Sequence, residues 1–210
     1  MLFDTKSQDF LKKVNKEALT KLSEYLLLIK KWNKTRNLVS RKLTDHDLEN
    51  HIIDCIALNE VISENNILDV GTGAGLPGVV IALLNPTKKV KLLDSNSKKI
   101  SFLNHVKTKL TMKNVTIEHN RLEKCDLSQE KLIVCRAFTS PVELINMVRK
   151  KLPKKSTILM MISKDQETSI QGFKTEYIPS SAEDILEKKR GFLRITTVSY
   201  THLRAHETAY

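Results

Sequence analysis

Apolar residues between positions 17 and 34 fall at Leu19, Leu22, Leu26, Ile29 and Trp32, a three-and-four spacing that predicts an amphipathic helix. Thr44 and Asp47 stand as a capping box ahead of a second stripe, Leu48, Ile52, Ile56 and Val61. Asn65-Asn66 breaks that second helix, and the period then changes. Short apolar runs at 67–70, 89–94, 114–118, 131–136 and 157–162 read as strands, separated by helical stretches near 77–85, 96–111 and 141–151. Such alternation predicts a mostly parallel α/β sheet with helices on both faces. Two later runs, 173–178 and 192–199, fit an antiparallel hairpin at the end of the sheet. The expected organisation is an N-terminal helical cap over 1–64, a sheet domain over 65–197 and a tail over 198–210. That tail, VSYTHLRAHETAY, lacks periodicity and reads equally as a vector scar, an assembly artefact or a native segment, so it carries no functional argument.

The first strand of the sheet runs into glycines, in the stretch NILDVGTGAGLPGVVIALLNPTKKVKLLDS at 66–95. Two frames compete. Gly73, Gly75 and Gly78 match G-x-G-x-x-G, the dinucleotide fingerprint. Gly71, Gly73 and Gly75, preceded by Asp69, match the D-x-G-x-G-x-G turn of S-adenosylmethionine (SAM) methyltransferases. Because the strand Ile67–Val70 ends directly at Gly71, the tight turn starts there, two residues too early for the dinucleotide frame. A pyrophosphate also wants an unencumbered helix N-terminus, whereas Leu76 and Pro77 occupy that place. SAM needs backbone approach at Gly71 and Gly73 and a carboxylate such as Asp69 near its polar end. Asp94, closing the second strand, suits ribose hydroxyls of either cofactor. The pattern predicts a Rossmann-like SAM-dependent methyltransferase sheet.

Charge bears on the acceptor. A net charge of +11 favours an anionic partner, although a lysine-rich composition alone would give the same total. Two windows hold no acidic residue: 95–117, with Lys98, Lys99, Lys107, Lys109 and Lys113, and 144–164, with Arg149, Lys150, Lys151, Lys154 and Lys155. Both flank the cofactor strands and predict a basic rim suited to a polyanion. Cys55, Cys125 and Cys135 form neither a metal-ligand pattern nor a disulfide framework and read as reduced, buried thiols. No metal site is expected. No apolar run approaches the ~20 residues of a membrane span, and the N-terminus lacks an apolar signal core, so a cytoplasmic protein with no membrane association is expected.

Acceptor chemistries leave different requirements. The [N/D]-P-P-aromatic motif of exocyclic-amine methylation is absent after the fourth strand, and Asn85-Pro86-Thr87 lies in the wrong loop. Cytosine C5 methylation needs a thiolate, but Cys135 follows Val134 rather than proline and reads as structural. The fourth strand ends instead in Cys135-Arg136-Ala137-Phe138, putting Arg136 at the carboxyl end of the sheet, where ligands bind in open α/β folds. There it could steer a phosphate, hold the cofactor carboxylate or stack on a base. A ring-nitrogen acceptor such as guanine N7 needs no base, only alignment.

Asp69–Gly78, Leu92–Ser95 and Cys135–Phe138, with upstream Trp32-Asn33, Asn37-Leu38 and His51–Asp54, resemble the bacterial 16S rRNA (guanine-N7) methyltransferase family known as RsmG or GidB, over about residues 17–197. The resemblance implies methyl transfer from SAM to N7 of a guanine in the decoding-region loop of 16S rRNA, in the small ribosomal subunit or an assembly intermediate; a monomer is expected. By position it implies SAM contacts for Gly71 and Leu76, places Leu122 and Glu123 beside the adenine, and puts Arg136 and Lys164 at the methyl-donor pocket and its mouth. Asp165 departs from the glycine usual in the family, and the tail replaces its usual chain end. His51 and Asp54 read equally as cleft-shaping or helix-packing residues, and Trp32 as core. Two readings from other classes stay open: an NAD-linked oxidoreductase using Gly73, Gly75 and Gly78, and a non-catalytic RNA-binding protein.

Overall fold

The structure is a computed structural model that describes residues 5–40, 42–163 and 169–197. Three helices come first: α1 (Thr5–Leu11), α2 (Lys16–Arg36) and α3 (Asp45–Asn59). Alternation then begins with β1 (Asn66–Val70), α4 (Gly78–Leu84), β2 (Lys89–Asp94), α5 (Ser97–Lys109) and β3 (Val115–His119). A 3-10 turn at Leu122–Lys124 precedes β4 (Leu132–Arg136), α6 (Pro141–Val148) and β5 (Thr157–Ser163). The chain closes with β6 (Phe173–Pro179), α7 (Glu183–Leu186) and β7 (Arg190–Thr197). The strands form one sheet in the order β3-β2-β1-β4-β5-β7-β6. β1 to β5 run parallel, and β7 pairs antiparallel with both β5 and β6.

Strand alternation divides the interior into two layers. Ile67, Val90, Leu92, Leu132 and Val134 face a core built by α2, α3, α4 and α5. Leu68, Val70, Ile133, Cys135 and Ile158 point to the opposite face, covered by α6 and the 3-10 turn. The N-terminal helices therefore share one continuous apolar layer with α4 and α5. Tyr25, Leu26 and Ile29 of α2 and Ile52 of α3 are fully buried in it. Trp32 packs against that core, its ring edge-on to Phe102 at 5.4 Å.

Helices on both faces, the parallel strands and the capping box before α3 follow the pattern read from the residues. α1, α7 and the 3-10 turn were not anticipated. α6 ends at Val148, three residues earlier than expected, because Lys151 N–H bonds back to Val148 at three-residue spacing just before Pro153. The last two strands pair antiparallel at the end of the sheet, as expected, with β7 lying inside and β6 taking the edge. Burial explains this arrangement, since Phe192, Leu193 and Ile195 of β7 are buried while β6 has no buried position. Among the described residues no helix is long and apolar enough to cross a membrane.

Candidate active site

The site grows from the turn after β1. Gly71 and Gly73 both take φ +63° and Gly75 takes φ +102°, a left-handed run that side chains resist. Gly75 and Leu76 donate to Thr72 O at 2.8 and 3.0 Å, closing the turn. Asp69 stands behind it, wholly buried. Its Oδ2 accepts from Thr72 Oγ1 at 2.5 Å and from Gly78 N at 2.7 Å, while Oδ1 has no partner. Burial pushes the Asp69 carboxyl up to about 7, against the two hydrogen bonds, and Asp94 adds to the rise. The first N–H of α4 is thus already taken by a buried carboxylate. A pyrophosphate has no place there, which removes the physical basis of the dinucleotide frame. From α2, the buried Tyr25 hydroxyl donates to Ala74 O at 2.6 Å and holds the same turn.

In front of the turn, at the carboxyl ends of β1, β2 and β4, opens a cleft of about 380 Å³. Its lining includes Val70, Gly71, Leu93, Asp94, Lys99, Asn120, Leu122, Glu123 and Phe138. This volume falls in the ~300–1,000 Å³ range of small-molecule sites. Asp94 accepts from Gly73 N at 2.9 Å and Asn96 N at 2.8 Å, with Lys99 Nζ 3.5 Å away. Its carboxylate is therefore fixed by backbone donors and keeps acceptor capacity toward the cleft. Ala137, a non-glycine residue at φ +49°, turns the chain so that Phe138 lies against Gly71. A Cβ on Gly71 would sit 2.2 Å from Phe138 Cδ2, so this glycine admits no side chain without displacing the ring. The wall carrying Leu122 and Glu123 is tied down by Lys151, whose Nζ donates to Glu123 O and to Cys125 O.

Gly71, Asp94, Leu122 and Glu123 are brought together in this cleft, and Gly73 joins through its bond to Asp94. Asp69 and Leu76 are buried behind the loop, outside the lining. Arg136 stands apart at the end of β4, where its Nη2 donates to His51 Nδ1 at 2.7 Å. Beside it Arg190 Nη1 lies 3.7 Å from Asp54 Oδ2. Burial, with Arg136 and Arg190 nearby, holds the His51 imidazole down to about 3, and burial raises the Asp54 carboxyl. Lys164 and Asp165 lie outside the described residues. Tyr25, Lys99, Lys151 and Phe138 were not singled out from the sequence as site residues. Tyr25 was within reach, since it falls three residues after Leu22 on the buried stripe of α2.

Cys55, Cys125 and Cys135 are all buried and unpaired. Burial raises the Cys135 thiol well above its ordinary value, leaving no thiolate nucleophile at the end of β4. The basic rim is divided rather than continuous. Lys98 and Lys99 open α5 beside the cleft, but α6 returns the chain to the amino edge of the sheet. In the second window Lys151 reaches back to the cleft wall, whereas Lys154 lies near the amino end of β5, where its O accepts from Thr197 at the end of β7. A larger groove, about 610 Å³, lies between α2 and α3, but it contains no turn or strand end of the sheet.

Residues 18–191 match the model of a family described as rRNA small subunit methyltransferase G. A protein of that name from Ruthia magnifica subsp. Calyptogena magnifica is 33% identical over 168 residues, 80% of this chain and 79% of its own. Another, from Hydrogenovibrio crunogenus, is 43% identical over 135 residues, 63% of this chain and 62% of its own. The chain spans about three fifths of the length of several of these curated relatives. Among solved structures, a mutant of MtNAS in complex with S-adenosylmethionine superposes with a TM-score of 0.60 at 12% identity, over 93% of this chain and 80% of that one. A SAM-dependent methyltransferase from Aquifex aeolicus gives 0.52 at 14% identity, over 83% of this chain and 98% of that one. At such identities the likeness concerns the fold, which is the Rossmann-like fold of SAM-dependent methyltransferases.

Proposed function

The chain belongs to the rRNA small subunit methyltransferase G family, and from that premise we propose that it methylates N7 of a guanine in the decoding-region loop of 16S rRNA, using SAM. The substrate is the small ribosomal subunit or an assembly intermediate, and the enzyme acts as a cytoplasmic monomer. The observation that carries the reading is the glycine turn itself. It opens onto a cleft with a fixed carboxylate, Asp94, while Asp69 closes the helix N-terminus that a dinucleotide would need.

These residues fit SAM. Bound there, SAM supplies an electrophilic methyl group on a sulfonium. Asp94 accepts from ribose hydroxyls, Gly71 and Gly73 allow the backbone to approach, and Leu122 and Glu123 flank the adenine. Asp69 and Leu76 act from behind, holding the loop. Arg136 faces the incoming nucleotide, and Lys164 acts with it in the role the family resemblance implies. N7 presents a lone pair and no proton, so the protein contributes alignment and exclusion of water rather than a base.

The test is transfer of labelled methyl from SAM to unmethylated small subunits, with nucleoside mass spectrometry of the product and calorimetry with S-adenosylhomocysteine. The expected product is 7-methylguanosine in the decoding-region loop. Methylation elsewhere would overturn the substrate assignment. Loss of both transfer and S-adenosylhomocysteine binding, with RNA still bound, would favour a non-catalytic RNA-binding protein.

A further inference from the structure

His51 and Asp54 lie three residues apart on α3 and so leave the same face of the helix. Each meets an arginine from the carboxyl edge of the sheet. Arg136 ends β4 opposite Met161, and Arg190 opens β7 opposite Ser163, so β5 alone separates them. The two pairs differ in one respect that matters chemically. Asp54 is a carboxylate and offsets the charge of Arg190. A guanidinium has only donors, so His51 Nδ1 must be the acceptor in its contact with Arg136, with the ring proton on Nε2. An uncharged imidazole orients the guanidinium without itself offsetting the positive charge. No described carboxylate lies within ion-pair distance of Arg136.

We infer that His51 is a positioning residue that aims the Arg136 guanidinium at the mouth of the site by accepting its Nη2–H at Nδ1, without neutralising it. This rests on the reading of Arg136 as a group facing the substrate nucleotide. The surroundings keep the acceptor available. Arg136 on β4, Arg190 on β7 and Lys188 in the turn before β7 all disfavour a charged imidazole, and burial disfavours it most; only Asp47, on α3 itself, acts the other way. Protonation would place an N–H against an N–H and release the arginine. Asp54 plays the complementary part. It engages Arg190 at ion-pair distance and acts on Arg136 only from farther off.

The inference is tested with His51→Leu, which removes the acceptor, His51→Asn, whose Oδ1 takes the place of Nδ1, and His51→Asp, which restores an acceptor but adds a negative charge. His51→Leu is expected to lower kcat for methylation of small subunits by about 10- to 100-fold, the scale of a misplaced catalytic group. Its affinity for S-adenosylhomocysteine should be unchanged. His51→Asn recovers most of the rate and His51→Asp does not. A readout independent of turnover is the imidazole nitrogen spectrum. His51 should remain a neutral Nε2–H tautomer from pH 5 to 8, and in Arg136→Ala its titration should move upward. Wild-type kcat in His51→Leu, equal rates in His51→Asn and His51→Leu, or a wild-type His51 titrating near 6.5 would each overturn the assignment. Full activity in Arg136→Ala would instead overturn the role of Arg136 on which it is built.

Discussion

Asp69 is charged only at a cost to the fold. Its carboxyl is enclosed, one oxygen takes two donors and the other takes none. The folded value near 7 stands above the ordinary 3.8, chiefly through burial. The unfolded chain therefore releases this proton first. The stabilising contribution of Asp69 is fully present below about 3.8 and is lost as pH rises through about 7. Asp69→Asn keeps an oxygen for Thr72 and Gly78 and cannot ionise. Urea denaturation from pH 5 to 8 should show the wild type losing stability relative to this variant as pH rises. Parallel curves would mean that Asp69 stays uncoupled from pH in this range.

Helix α3 carries His51 and Asp54 to the sheet edge, and its N-terminus is set by one reciprocal pair. Asp47 N donates to Thr44 Oγ1 at 3.1 Å and Thr44 N donates to Asp47 Oδ2 at 2.9 Å. Thr44→Ala should cost about 1 kcal/mol and lower Tm by about 2–4 °C for a domain of this size. A melting temperature equal to wild type would show that tertiary packing alone holds the helix end. This cap was legible because its partners are three residues apart. The glycine turn and the strand–helix alternation were legible for the same reason: each is a local period or a local backbone demand. The second capping box, Ser140 with Glu143 at the start of α6, was equally local and was overlooked. Contacts made at a distance were not legible. Tyr25 meets Ala74 across 49 positions and His51 meets Arg136 across 85, and no spacing in a single sequence encodes either. The SAM contact of Leu76 is implied by the family resemblance alone, and no local spacing shows that its side chain is buried in the core. The two basic windows read as one rim because a sequence does not reveal that α6 returns to the far edge.

Across the whole molecule, positive charge at the carboxyl edge of the sheet comes from separate elements. Lys99 of α5 lines the cleft, Arg136 ends β4 beside His51, and Lys188 and Arg190 stand with Asp54 on the approach to β7. The N-terminal helices serve the same edge. α2 shares a core with α4 and α5 and reaches the glycine turn through the Tyr25 hydroxyl. Thermodynamic linkage makes such a tie reciprocal: what firms the turn must firm the helix, and by the same free energy. Saturating S-adenosylhomocysteine should slow amide exchange in residues 16–36, and Tyr25→Phe should abolish most of that slowing while α2 stays folded. Exchange indifferent to the ligand would uncouple the two. Such slowing would make α2 a reporter of whether the cleft is filled, although it lines no part of it.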